Sequence, residues 1–72
     1  MHNEIHKKHF YIKVNKQGKM CGYIKNINYE NGEVTITNDK EMAFKYYSED
    51  EVQGDIDFLT KYYFDSNYIF TY

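Results

Sequence analysis

The chain has 72 residues, a net charge of −2, one cysteine and no proline, and nine Tyr and five Phe bring its aromatic content to 19%. One cysteine excludes an intramolecular disulfide, and no apolar run approaches the ~20 residues of a membrane span. The polar start Met1-His2-Asn3-Glu4 lacks the apolar core of a secretory signal, so a cytosolic domain is expected, in which large apolar side chains compensate for the missing disulfides, as the aromatic-rich composition allows.

Residues 1–8 are polar without a period and read as a loose arm ahead of a single domain over residues 9–72. Phe10, Ile12 and Val14 alternate with Tyr11, Lys13 and Asn15, which predicts a first strand. Asn15-Lys16-Gln17-Gly18 is turn chemistry, and residues 20–29 read as a second strand. Asn31-Gly32 then favours a two-residue type I′ hairpin. In that register Tyr29 faces Val34 and Ile27 faces Ile36. Ile24 and Ile27 are three apart, so a regular strand would put them on opposite faces; a bulge near Lys25-Asn26 is expected instead.

Residues 34–37 form the third strand, and Asn38 or Asp39 can cap a short helical turn over residues 40–44. Ser48 followed by Glu51 is a capping box for the main helix. Val52, Ile56, Leu59 and Tyr63 recur at spacings of four, three and four, one helical stripe. Gly54 lies off that stripe and costs about 1 kcal/mol of helix propensity relative to Ala. Asp65-Ser66-Asn67 ends the helix, and residues 68–72 read as a last strand. The predicted fold is α+β, a small antiparallel sheet in the order β-β-β-α-β with one helix on one face. The expected core is Phe10, Ile12, Val14, Ile27, Val34, Ile36, Ala43, Phe44, Val52, Ile56, Leu59 and Tyr63.

The run from Thr37 through Asp39, Ala43 and Ser48 to Glu51, placed between an extended pair and a helix with an extended end, resembles small accessory proteins of Gram-positive phages and prophages. The resemblance covers about residues 10–72 and departs from the usual pattern at Gly54. It implies a mobile-element accessory protein in the host cell cytosol and transfers no catalytic residues.

Four groups of side chains bear on function. Residues 1–27 carry six Lys and one acid, residues 28–72 three Lys and ten acids, so the net −2 conceals halves of +5 and −7. Glu49, Asp50, Glu51, Asp55 and Asp57 lie within one helix and away from its apolar stripe. Pointing to solvent, they would offer an acidic face to a Lys/Arg-rich partner or imitate nucleic-acid phosphates. Tyr11 and Tyr23, flanked by Lys13 and Lys25, form an alternative face, where exposed rings beside ammonium groups suit a protein partner or the bases of a single strand. All nine basic residues are Lys, and the absence of Arg, the usual reader of phosphates and base edges, weighs against nucleic acid. His2, His6 and His9, with Cys21, are a metal-like set, but their segment has no helical period and runs into a strand, so no metal or other cofactor is expected. Cys21 lacks a surrounding catalytic motif, although His9 could lie across the hairpin from it. The expected function is non-enzymatic: a module that binds and inhibits a host protein such as a defence or replication factor, with single-stranded nucleic-acid binding as the alternative. A second copy of the chain is a further candidate partner.

Overall fold

The computed structural model describes residues 8–72. In chain order these form β1 (Lys13–Lys16), β2 (Lys19–Ile27), β3 (Val34–Thr37), one turn of 3-10 helix (Lys40–Met42), α1 (Glu49–Tyr62) and β4 (Tyr68–Thr71). The strands pair antiparallel in one sheet with the spatial order β3-β2-β1-β4. The helix covers one face and lies nearest β4. This is the expected α+β arrangement. The expected arm falls outside the described residues, Lys8 excepted.

Local chemistry explains each element. Ser48 caps α1, its Oγ accepting from the Glu51 amide at 3.4 Å, and Glu49, Asp50 and Glu51 occupy the positive end of the helix dipole. Asp39 caps the 3-10 turn through the Glu41 amide at 3.0 Å. The β2 strand carries two bulges. One lies between Ile24 and Asn26, as expected, and brings Ile24 and Ile27 to the same face. The other lies opposite Val14/Asn15, at Cys21.

The hairpin turns exchange roles relative to expectation. Gln17 and Gly18, at φ 54° and 80°, make the two-residue loop, with Lys16 opposite Lys19. The Asn31-Gly32 pair instead sits in a four-residue loop. Asn28 pairs with Glu33 through the backbone, and the Gly32 amide donates to the Asn28 carbonyl at 2.7 Å. Two asparagine side chains stabilise this longer loop: Asn28 accepts from the Glu30 amide and Asn31 from the Glu33 amide. The register therefore shifts by two. Ile27 faces Val34 and Ile24 faces Ile36, in place of Ile27 with Ile36 and Tyr29 with Val34.

The buried core is Ile12, Val14, Ile24, Ile27, Ala43, Tyr46, Val52, Ile56, Leu59 and Phe70, and Phe10, Val34 and Tyr63 pack against it partly buried. Two expected members are exposed. Ile36, 37% exposed, is on edge strand β3, at the opposite side of the sheet from β4, where the helix sits closest. Phe44, 52% exposed, misses the core because the 3-10 turn ends at Ala43 in extended backbone (ψ 147°), before the helical turn expected to carry it. The chain then runs extended, and Tyr46, bridged to Phe10 by two backbone hydrogen bonds, takes the buried position.

Two substitutions test this packing. Leu59 is fully buried on the helical stripe, so Leu59→Ala should cost roughly 2–5 kcal/mol in chemical denaturation. Gly18 and Gly32 both have positive φ, but a Cβ at Gly18 meets nothing within 4 Å, whereas at Gly32 it would run into the Tyr62 ring. Gly18→Ala should cost about 1–2 kcal/mol from backbone strain alone, and Gly32→Ala a further 1–3 kcal/mol or so from overpacking. Equal losses at the two sites would contradict the docking of the long loop on the helix.

Candidate functional site

Two parallel stripes run along α1. Val52, Ile56, Leu59 and Tyr63 face the sheet. Shifted by one residue, Glu51, Asp55, Phe58 and Tyr62 recur at the same four-three-four spacing and face the β2–β3 loop and the segment before the helix. The Tyr62 hydroxyl donates to the Asn31 carbonyl at 2.5 Å, and the Tyr63 hydroxyl donates to the Gly32 carbonyl at 2.6 Å. Tyr29, from the loop, packs edge-on against Phe58 at 5.3 Å between ring centroids, and Phe58 stacks on Tyr62 at 5.9 Å.

Asp55 is the centre of this contact. Its Oδ2 accepts from the Tyr29 hydroxyl at 2.6 Å and from the Tyr46 hydroxyl. Three segments distant in sequence thus meet on one carboxylate oxygen. Burial first, then the hydrogen bond and charge of Asp55, push the Tyr29 hydroxyl up to about 12. The same causes in the same order push Tyr46 further up, with smaller contributions from Tyr29 and Glu51. Both phenols are therefore neutral donors across the physiological range.

Beside this knot lies a shallow, open depression of about 360 Å³ lined by Tyr29, Phe44, Tyr46, Asp50, Glu51, Gly54 and Asp55. Tyr46 is 5% exposed and the other two rings more than half exposed, which puts Tyr46 deepest and Tyr29 and Phe44 at the rim. Phe44 and Tyr46 meet edge-to-face at 4.8 Å. The lining holds three carboxylates and no basic side chain. A smaller recess of about 120 Å³ adjoins the same three rings and reaches Ile24, Asn26 and Ile27.

The expected acidic residues divide accordingly. Glu49, Asp50, Glu51 and Asp57 are exposed, and Asp57 accepts from Gln53 Nε2 at 2.9 Å, one turn away. Asp55 does not point freely to solvent as expected. It is half-buried, because two tyrosines from outside the helix claim one of its oxygens. On the far face of the sheet, Tyr11 and Tyr23 are brought together edge-to-face at 5.4 Å, with Lys13 paired to Tyr23. The Lys40 ammonium stands 5.2 Å from the Tyr11 ring centre, occupying a ring face that a base would need, and Lys25 falls in the β2 bulge.

His2 and His6 of the metal-like set lie outside the described residues. The His9 ring lies 6.2 Å from Tyr11 and 6.1 Å from Tyr47. Cys21 packs partly buried against the core, its Sγ 3.8 Å from the Lys19 carbonyl. Residues of this site that belong to neither of the two expected faces are Tyr29, Phe44, Tyr46, Phe58, Tyr62 and Gly54. For Phe58 and Tyr62 the signal is the second helical stripe. For Gly54 it is the helix-disfavouring residue off the apolar face.

The tyrosine shifts carry a pH dependence. Tyr29 and Tyr46 hold their protons more tightly folded than unfolded, so the unfolded chain ionises first as pH rises, and stability falls between the ordinary tyrosine value and the raised one. The thermal midpoint should be level from about pH 7 to 9 and fall above about pH 10. In ultraviolet titration, Tyr29 and Tyr46 should form a late ionisation step, and Asp55→Ala should bring it forward. A single ionisation step for all tyrosines near pH 10 would contradict the knot.

No protein family, no curated protein and no solved structure matches the chain.

Proposed function

We propose that this protein is a binding module without catalytic activity, which engages a Lys/Arg-rich surface of another protein through the first two turns of α1 and the aromatic rings beside them. The observation that carries this reading is the juxtaposition at the depression. Exposed carboxylates at Asp50 and Glu51, with Glu49 and Asp57 on the same helix, adjoin the exposed rings of Tyr29 and Phe44. Acidic groups speed encounter with a basic surface, and neighbouring aromatic rings supply contact area with few torsions to freeze. Tyr62 at the end of α1 and Phe64 just beyond it are exposed as well. The resemblance to phage accessory proteins implies a mobile-element accessory protein, and binding and inhibiting a host factor of defence or replication in the host cytosol fits that role. Among the described residues no helix is long and apolar enough to cross a membrane.

Fluorescence anisotropy with two labelled probes tests the reading, an oligolysine peptide and a single-stranded oligodeoxynucleotide of equal length. The peptide should bind with an affinity that falls steeply with salt, and the pair Asp50→Asn, Glu51→Gln should weaken it about three- to tenfold while leaving the fold intact, each charge being worth on the order of 1 kcal/mol or less. Preferential binding of the oligonucleotide, lost on Lys13→Ala or Lys40→Ala, would overturn the proposal in favour of the Tyr11/Tyr23 face.

A further inference from the structure

The two edges of the sheet are not alike. β4 packs beneath α1, and the Lys16 ammonium stands 5.0 Å from the centre of its Tyr68 ring. A covering helix and a nearby lysine are devices that keep an edge strand from pairing. Among the described residues β3 is the opposite edge, and it has neither. Its four residues, Val34, Thr35, Ile36 and Thr37, are all β-branched and uncharged. The bulge between Ile24 and Asn26 belongs to β2, so β3 itself runs unbroken.

The backbone of β3 alternates in direction. The Asn28 amide donates to the Glu33 carbonyl, and the Thr37 carbonyl lies 2.8 Å from where a Cβ on Gly22 would stand, so Glu33 and Thr37 turn their backbone groups toward β2. By the same alternation Thr35 turns inward, while Val34 and Ile36 turn N–H and C=O outward. The side chains of Val34 and Ile36 line, with Val14, Tyr63, Tyr68 and Phe70, an open apolar recess of about 220 Å³. Outward backbone donors and acceptors beside an apolar recess are what an added strand requires.

We infer that the added strand is β3 of a second copy of this chain, paired antiparallel about a twofold axis through Thr35. The inference is independent of the acidic surface of α1. In this register β3 is complementary to itself. Val34 of each copy faces Ile36 of the other, and each of these amides donates to the opposite carbonyl. Ile36, 37% exposed in the single chain, gains an apolar neighbour. On the other face the two Thr35 side chains meet on the axis, a favoured cross-strand pair. Glu33 faces Thr37 and not its own copy, so no like charges are opposed. Centring on Ile36 instead would set Val34 against Asn38, beyond the strand, and leave one reciprocal pair of hydrogen bonds in place of two. So short a contact is at the small end of specific interfaces, which makes the dimer weak.

The test is sedimentation velocity on the full chain from about 10 µM to 1 mM, with amide chemical shifts followed over the same dilution. A monomer–dimer equilibrium is expected, with a dissociation constant on the order of 0.1 mM. The Val34 and Ile36 amides should move with concentration, and those of Ile69 and Thr71 on β4 should not. Thr35 is exposed, so Thr35→Lys should fold, and it should weaken the dimer about tenfold or more by opposing two ammonium groups on the axis. Ile69→Lys, at an exposed position of β4, should leave the dimer unchanged. Equimolar Thr35→Lys and Thr35→Glu chains should pair again as a mixed dimer. A chain monomeric up to 1 mM or so, a dimer that survives Thr35→Lys, or one lost in Ile69→Lys would overturn the inference. Failure of the mixed dimer to form would overturn the twofold axis at Thr35. A chain that stays monomeric but whose Val34 and Ile36 amides shift on adding a peptide of alternating Val and Thr would assign the edge to a strand of another protein.

Discussion

The carboxylate of Asp55 is the point on which the surface of this domain depends. Sheet and helix are joined by an ordinary apolar core, but that core fixes only the inner face of α1. The outer side of the molecule is arranged by one oxygen that receives Tyr46, from the segment entering the helix, and Tyr29, from the tip of the β2–β3 hairpin. Hydrogen bonds to a charged acceptor are worth about 1.5–3 kcal/mol, and removing a buried partner leaves the other side unsatisfied. In a chain of 72 residues without a disulfide, such contacts are a large fraction of the net stability.

The same arrangement explains how so small a protein uses so many tyrosines. Each of the four hydroxyls at the hairpin–helix junction has an acceptor: Tyr29 and Tyr46 share Asp55, while Tyr62 and Tyr63 cap carbonyls of the long loop. The loop is thereby held along the helix by side chains that are apolar in body and polar at the tip. Phe44 and Tyr29 remain exposed beside the acids.

How much of this could be read from the residues differed by element. Short-range chemistry was legible: the Ser48 cap, the apolar helical stripe, the Asp39 turn and the bulge forced by the spacing of Ile24 and Ile27 all appear where local rules put them. The loop after β2 was not, because Asn28 competes with Asn31 for the turn and the two side chains together stabilise a longer loop than Asn-Gly alone prefers. Tyr46 and Phe44 exchanged burial because the choice turned on where a three-residue 3-10 turn ends, a matter of one φ/ψ pair. The second helical stripe, Glu51-Asp55-Phe58-Tyr62, was present in the spacing but mixes acids with aromatics, so hydropathy does not flag it. That Asp55 meets two tyrosines 26 and 9 residues away depends on the tertiary fold and is invisible to any local pattern.

A double-mutant cycle on Tyr46→Phe and Asp55→Ala, read by chemical denaturation, tests the central claim that Asp55 organises the hairpin, the entering segment and the helix. Each single change should destabilise the fold, and the two should be coupled by roughly 1–3 kcal/mol, the value of a partly buried hydrogen bond to a charged acceptor. Losses that add without coupling would show that Tyr46 and Asp55 contribute separately, and that the surface around them is held by the apolar core alone.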